Sequence, residues 1–84
     1  MKRRFWFNFK QFDTPTPLNL GCGVTADSLD GAIQLLRSKV FLKEHFEIVQ
    51  TIEDVEISSL DEGHIRPNMG NPMMLGIWFP LGYE

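Results

Sequence analysis

The sequence predicts a small α+β protein in which one helix packs on a mainly antiparallel sheet, in two layers and in the order β-β-α-β-β. Three observations lead to this prediction. Four segments alternate in character with the period of two that half-buried strands show. One segment between the second and third of them repeats apolar residues at steps of three and four, as an amphipathic helix does. The chain has 84 residues, enough for one hydrophobic core, so we expect a single domain over residues 1–84.

The first strand is predicted over residues 4–10. Phe5, Phe7 and Phe9 fall on one face, and Trp6 falls on the other. The residues that follow include two prolines, which favour a turn and cannot donate hydrogen bonds to a sheet. This segment therefore leads out of the sheet before the chain returns.

The second strand is predicted over residues 18–24, where apolar residues alternate with small and polar ones, including Gly21 and Gly23. Glycine inside a strand indicates a bulge or the close approach of another backbone. Glycine before a helix start can also hold an anion. The lysine and third glycine of such a loop are missing, which favours the structural interpretation.

The helix is predicted to begin at Thr25 or Ser28, either of which can act as an N-cap. Its apolar face is formed by Leu29, Ala32, Ile33, Leu36 and Val40. The regular spacing of these residues predicts that this face packs on the sheet.

The third strand is predicted over residues 46–57, as one long kinked strand or two short ones. The apolar residues change parity near residues 53–54, which predicts either a bulge or a change of sheet face there. A connection without regular structure follows, since glycines and prolines interrupt residues 58–72. The fourth strand is predicted over residues 73–79, which again alternate in character.

Charge is divided unevenly along the chain. Residues 1–43 carry seven basic and three acidic residues (+4), and residues 44–84 carry one basic and eight acidic residues (−7). The acidic segment, residues 44–62, contains no lysine or arginine and would repel a phosphate backbone, so nucleic-acid binding is disfavoured. It could serve instead as a docking surface for a basic partner. Lys2, Arg3, Arg4 and Lys10 leave a weaker nucleic-acid alternative.

Composition also bears on location and chemistry. No apolar stretch approaches the ~20 residues of a membrane helix, so we expect no membrane association and a cytoplasmic location. Cys22 is the only cysteine and is expected to be a small core residue. His45 and His64 do not form a metal-binding motif with it. We therefore predict no catalytic residue, no metal and no cofactor, and an enzyme is the less favoured class.

The connection between the third and fourth strands holds the candidate contact residues Asp61, His64, Arg66, Asn68 and Asn71. In the functional interpretation, His64 carries a proton beside Asp61 and Arg66 grips a carboxylate or phosphate. In the structural interpretation, Asp61 caps a turn, the asparagines bind their own backbone and Arg66 pairs with an acid. The pattern favours the structural interpretation.

Trp6, Met74 and Trp78 are predicted to lie on the sheet face opposite the phenylalanines, and we expect them to form an interface there. The structural alternative is that the sheet curls and partly buries both of its faces, or that the subunit dimerises through this face. The leading hypothesis is thus a protein-interaction or regulatory module that uses this exposed face and the acidic segment, with another protein or a second copy as partner. The alternative is a small-molecule-binding protein or small enzyme with its site in residues 61–71.

The segment GCGVTADSLDGAIQLL, residues 21–36, resembles the glycine-cysteine, threonine and short-helix stretch of HicB-type antitoxins. The resemblance implies a small protein that neutralises a toxin. It covers about sixteen residues, and Gly31 stands where that family has an acidic-alanine helix opening. No family is assigned on it.

Overall fold

Four antiparallel strands form one sheet in the order β3-β1-β2-β4 in the computed structural model, which describes residues 2–42, 45–81 and 83. The strands are β1 (Arg3–Phe9), β2 (Cys22–Ala26), β3 (Ile48–Glu53) and β4 (Gly76–Phe79). The helix α1 (Leu29–Leu35) follows β2 and continues into a π-helical turn, Leu36–Val40. The predicted α+β class and the β-β-α-β-β order are confirmed.

The main core lies between α1 and the sheet. Phe5 and Phe7 of β1 are fully buried there, as are Ala32 and Leu36 on the helical segment. The core also contains Phe9, Leu18, Cys22, Val24, Ala26, Phe41 and Ile77. The alternation of β1 and the spacing of the helix therefore identified the surfaces that meet.

The second strand begins later than predicted. Pro17–Asn19 form one turn of 3-10 helix, because Pro17 occupies its first position and the Thr16 side chain accepts a hydrogen bond from the Leu18 N–H. Strand pairing starts only at Cys22, after Gly21 adopts a φ of 130°.

The Ser28 side chain is the N-cap of α1 and accepts a hydrogen bond from the Gly31 N–H at 3.1 Å. Of the two predicted N-caps, Ser28 is therefore the one used. None of the helices in the described part of the chain has both the length and the apolar character needed to cross a bilayer.

The irregularity of β3 lies at the other end from the one predicted. Asn8 pairs with Gln50 and Phe9 with Ile48, so Val49 is the extra residue of a bulge. This bulge turns Ile48 toward the main core. At the predicted position the strand simply ends, with Asp54 at a φ of 54°.

The sheet face opposite α1 is covered, which corrects the expectation that Trp6 and Trp78 are exposed. Residues 55–69 fold over this face and bury Trp6 to 4% and Trp78 to 2% exposure. These rings form a second core with Val55, Leu60, Ile65 and Phe79. The connection that lacks regular strands thus supplies a third layer, because its apolar residues are spaced to reach the two indoles.

Gly21 and Gly23 make room for those indoles. A Cβ atom at Gly21 would lie 2.6 Å from Trp6 Cζ2, and one at Gly23 would overlap the ring of Trp78. The register between β2 and β4 also shifts beside Gly23: Gly23 pairs with Phe79 and Val24 with Ile77, so the extra residue of the bulge is Trp78 on β4 and not a glycine of β2. The close neighbour is a ring and not a backbone.

Candidate functional site

The most exposed apolar run of the described chain lies just before β4. Met73, Met74 and Leu75 are exposed by 63%, 62% and 56%. They stand in a turn that we call the methionine turn, residues 71–75. Three consecutive apolar side chains in solvent are unusual, and surfaces of this kind often mark contact sites.

Hydrogen bonds fix the methionine turn from within and from the sheet. Asn71 accepts at Oδ1 from the Met73 N–H (2.9 Å) and at its carbonyl from the Met74 N–H (3.2 Å). The Thr25 hydroxyl donates to the Pro72 carbonyl and accepts from Trp78 Nε1 at 3.0 Å. Lys2 Nζ donates to the Met73 carbonyl at 3.3 Å. The apolar side chains are therefore presented by a braced backbone.

Sequence reasoning placed Met74 on the surface but missed the turn. Residues 73–75 alternate in register with β4, and the sequence pattern therefore predicts them as part of that strand. The missed signal is Gly76, which adopts a φ of 128° with no atom within 4 Å of an added Cβ. A glycine required by backbone conformation interrupts the strand at this point.

Asp61 and His64, predicted as contact residues, form a turn. Asp61 Oδ1 accepts hydrogen bonds from the N–H groups of Gly63 (2.7 Å) and His64 (3.0 Å), and its Oδ2 lies 3.4 Å from His64 Nδ1. These bonds, led by the one from Gly63, hold the pKa of the Asp61 carboxyl below its usual value.

The other predicted contact residues are also used locally. Arg66 Nη1 donates to Glu62 Oε1 at 3.0 Å, and Asn68 Nδ2 donates to the His64 carbonyl at 2.9 Å. Asn71 belongs to the methionine turn. These are the contacts that the structural interpretation predicts, and they do not bring all five side chains to one point.

His64 and Asn68 do meet at a cleft of about 380 Å³. Its other walls are apolar: Pro17, Leu20, Phe79, Pro80 and Leu81. Leu20 and Leu81 are exposed by 43% and 52%, so the cleft is open to solvent. Two polar groups on an apolar wall can orient a small ligand.

The chemistry available to this cleft is limited. His64 lies beside Asp61, but none of the described residues that line the cleft carries a hydroxyl or thiol to act as a nucleophile. Burial raises the pKa of the Cys22 thiol to about 12, which makes it a poor nucleophile. Within the described ranges, no three histidine, cysteine, aspartate or glutamate side chains are grouped to hold a metal ion.

The acidic segment is partly neutralised by the first strand. Arg3 binds Glu53 at 3.1 Å and Asp54 at 2.9 Å. The hydrogen bond from Arg3 holds the pKa of Asp54 below its usual value. One guanidinium group thus pairs with two carboxylates, so the end of β3 keeps a negative charge.

Comparison with models of known families, with curated proteins and with solved structures finds no match for this chain. The short resemblance of residues 21–36 to HicB-type antitoxins accordingly carries no assignment. Function has to be argued from the surfaces described above.

Proposed function

We propose that the protein is a protein-interaction module that binds its partner through the methionine turn. The observation that supports this is the combination of exposure and bracing: three neighbouring apolar side chains are in solvent, while the backbone under them is hydrogen-bonded to Asn71, Thr25 and Lys2. A braced backbone reduces the entropy lost on binding. Methionine side chains also adapt to irregular apolar pockets.

The surroundings of the turn indicate what its partner offers. Leu75 and Gly76 line an open groove together with Asp27 and Lys39, and Lys2 Nζ donates to the Met73 carbonyl. The apolar surface therefore has charged groups of both signs beside it. A partner pocket that is apolar at its centre and carries polar and charged groups at its rim complements this arrangement.

A triple variant, Met73→Ser, Met74→Ser and Leu75→Ser, tests the proposal. Because the three side chains are exposed, the variant should keep the wild-type thermal transition. Leu42→Ser, at an apolar residue exposed by 72% elsewhere, is the control. Affinity capture with quantitative mass spectrometry should recover a partner with the wild type and the control, and lose it with the triple variant.

Light scattering separates the two kinds of partner. A dimer of the wild type that becomes a monomer in the triple variant identifies a second copy as the occupant. A monomer that captures nothing at micromolar concentration, or captures the same proteins with and without the apolar side chains, contradicts the proposal.

The cleft of His64 and Asn68 supports a second candidate, a small-molecule-binding protein. Thermal-shift screening of metabolites should then find a compound that stabilises the wild type but not His64→Ala with Asn68→Ala. Arg66→Ala is the matched control, because Arg66 belongs to the same segment but does not line the cleft. The absence of any stabilising compound would count against this candidate.

A cytoplasmic location is part of the proposal. Cys22 is the only cysteine and is buried, so the chain makes no internal disulfide. Proteins without disulfides are the rule in reducing compartments.

A further inference from the structure

We propose that the outer edge of β3 accepts an extended, basic segment of a partner protein as a fifth strand. This surface is separate from the methionine turn, because β3 and β4 are the opposite edges of the sheet. It deepens the proposed function by giving a second contact and its chemistry. Strand addition supplies affinity through backbone hydrogen bonds and specificity through alternate side chains.

The outer edge of β3 has no strand partner in residues 2–42, 45–81 and 83, while β1 pairs with its inner side. Five of its six residues are exposed, including Val49 by 59% and Ile52 by 36%. The backbone groups on that side therefore face solvent, as in any unpartnered edge.

The other edge of the sheet, formed by β4, is partly covered. At β4, the Gly70 N–H donates to the Trp78 carbonyl at 2.6 Å, so a loop already occupies part of that edge. Among the described residues, no comparable loop hydrogen bond caps β3, and its sequence contains no proline or lysine to block pairing. The bulge at Val49 protects only one end and leaves residues 50–53 regular.

Charge selects a basic occupant. Glu47 precedes β3, Glu53 and Asp54 end it, and Glu56 follows. Arg3 is the ion-pair partner of Glu53 and Asp54, whereas Glu47 and Glu56 have no ion pair within the described residues. An incoming strand with lysine or arginine near both ends would meet carboxylates at both ends, which favours encounter and register.

The same charges disfavour a second copy of this chain. Two β3 strands related by a two-fold axis pair antiparallel about Gln50 or Thr51. Glu53 of one copy then lies opposite or diagonal to Glu47 of the other, twice in each dimer. Like charges so placed are destabilising.

The test is selection of random nine-residue peptides on the immobilised full-length protein, followed by fluorescence anisotropy with the enriched peptides. We expect enriched peptides to carry several lysines or arginines and alternating β-branched residues. The variant Glu47→Lys with Glu56→Lys should bind them about tenfold more weakly or worse. Asp30→Lys with Glu62→Lys changes the net charge equally away from β3 and should bind as the wild type does.

A backbone test accompanies the charge test. Adjacent residues of an antiparallel strand direct their N–H groups to opposite sides, so one of Gln50→Pro and Thr51→Pro removes only an outward donor. That variant should keep the wild-type circular dichroism spectrum and lose peptide binding.

Three results overturn the proposal: enriched peptides that are not basic, equal affinity for the wild type and the Glu47/Glu56 variant, or a wild-type dimer that the proline variant dissociates. The triple serine variant of the methionine turn should bind the basic peptides normally. The two proposals can therefore fail separately. Basic peptides can fail to bind β3 while the methionine turn still captures its partner, and the methionine turn can fail to capture a partner while β3 still binds basic peptides.

Discussion

At the scale of single residues, glycine and tryptophan are matched. Gly23 in β2 and Gly21 just before it leave space on one side of the sheet, and the rings of Trp78 and Trp6 fill it. The sequence indicates that these glycines are needed for a close approach, since they recur with the period of one strand face. It does not indicate what approaches, because both contacts are made between different elements, and the one between Gly23 and Trp78 joins residues 55 positions apart.

Gly23→Ala should destabilise the fold by about 1–3 kcal/mol, because its Cβ overlaps the Trp78 ring, and that ring is buried in the second core with its centroid 5.9 Å from that of Trp6. Urea unfolding followed by tryptophan fluorescence measures the change. Gly70→Ala is the control: its Cβ would lie 3.6 Å from Leu81 Cδ2, an ordinary contact, and stability should change little. Equal stability of the two variants would contradict the overlap.

At the scale of elements, local sequence patterns predicted the elements whose conformation is determined by their own residues. The alternation of β1 and the cap at Ser28 are such signals, and both elements formed close to where they were predicted. The methionine turn was missed because Met73 and Leu75 alternate as strand residues do, while the contacts that bend the backbone come from Thr25 and Lys2. Those contacts are set by tertiary structure.

The turn at Asp61 makes a prediction about pH. Its folded-state pKa is lowered, so its ionised form contributes stability above the ordinary value of 3.8, and that contribution is lost as pH falls through the lowered pKa. The melting temperature of the wild type should exceed that of Asp61→Asn at neutral pH, and the difference should vanish in acid. Asp13→Asn is the charge-matched control.

Carbon-13 NMR of the Asp61 carboxyl group gives the folded-state pKa directly. A pKa at or above 3.8 would show that the hydrogen bonds from Gly63 and His64 do not act on the charged form.

At the scale of the whole molecule, the sheet separates two cores of different construction. Periodicity predicts the main core, because a helix and β1 each present one regular apolar face. The second core depends on Val55, Leu60 and Ile65, which recur at steps of five and so match the period of neither a strand nor a helix. Their apolar character was visible in the sequence, but only the fold shows that they reach Trp6 and Trp78. Trp6 and Trp78 were therefore predicted on the correct sheet face, but the prediction that this face is exposed was wrong.

Cys22 reports on the opening of the main core. The thiol is fully buried, and burial raises its pKa to about 12, so iodoacetamide should label it only when the core opens. The labelling rate in increasing urea should follow the unfolding transition measured by fluorescence. Rapid labelling of the folded protein would contradict this burial, and the unfolded chain serves as the reference for full reactivity.

The strand order also bears on how the chain is synthesised. β1 and β2, the central strands, and α1 all come from the first half of the chain, whereas both edge strands come from the second half. A nascent chain can therefore assemble the hairpin and helix before the rest has left the ribosome. During that interval Trp6 has no cover, because Val55, Leu60 and Ile65 are not yet available. The time that residues 55–65 take to emerge after β1 thus sets how long an aromatic surface stays open to chaperones or to aggregation.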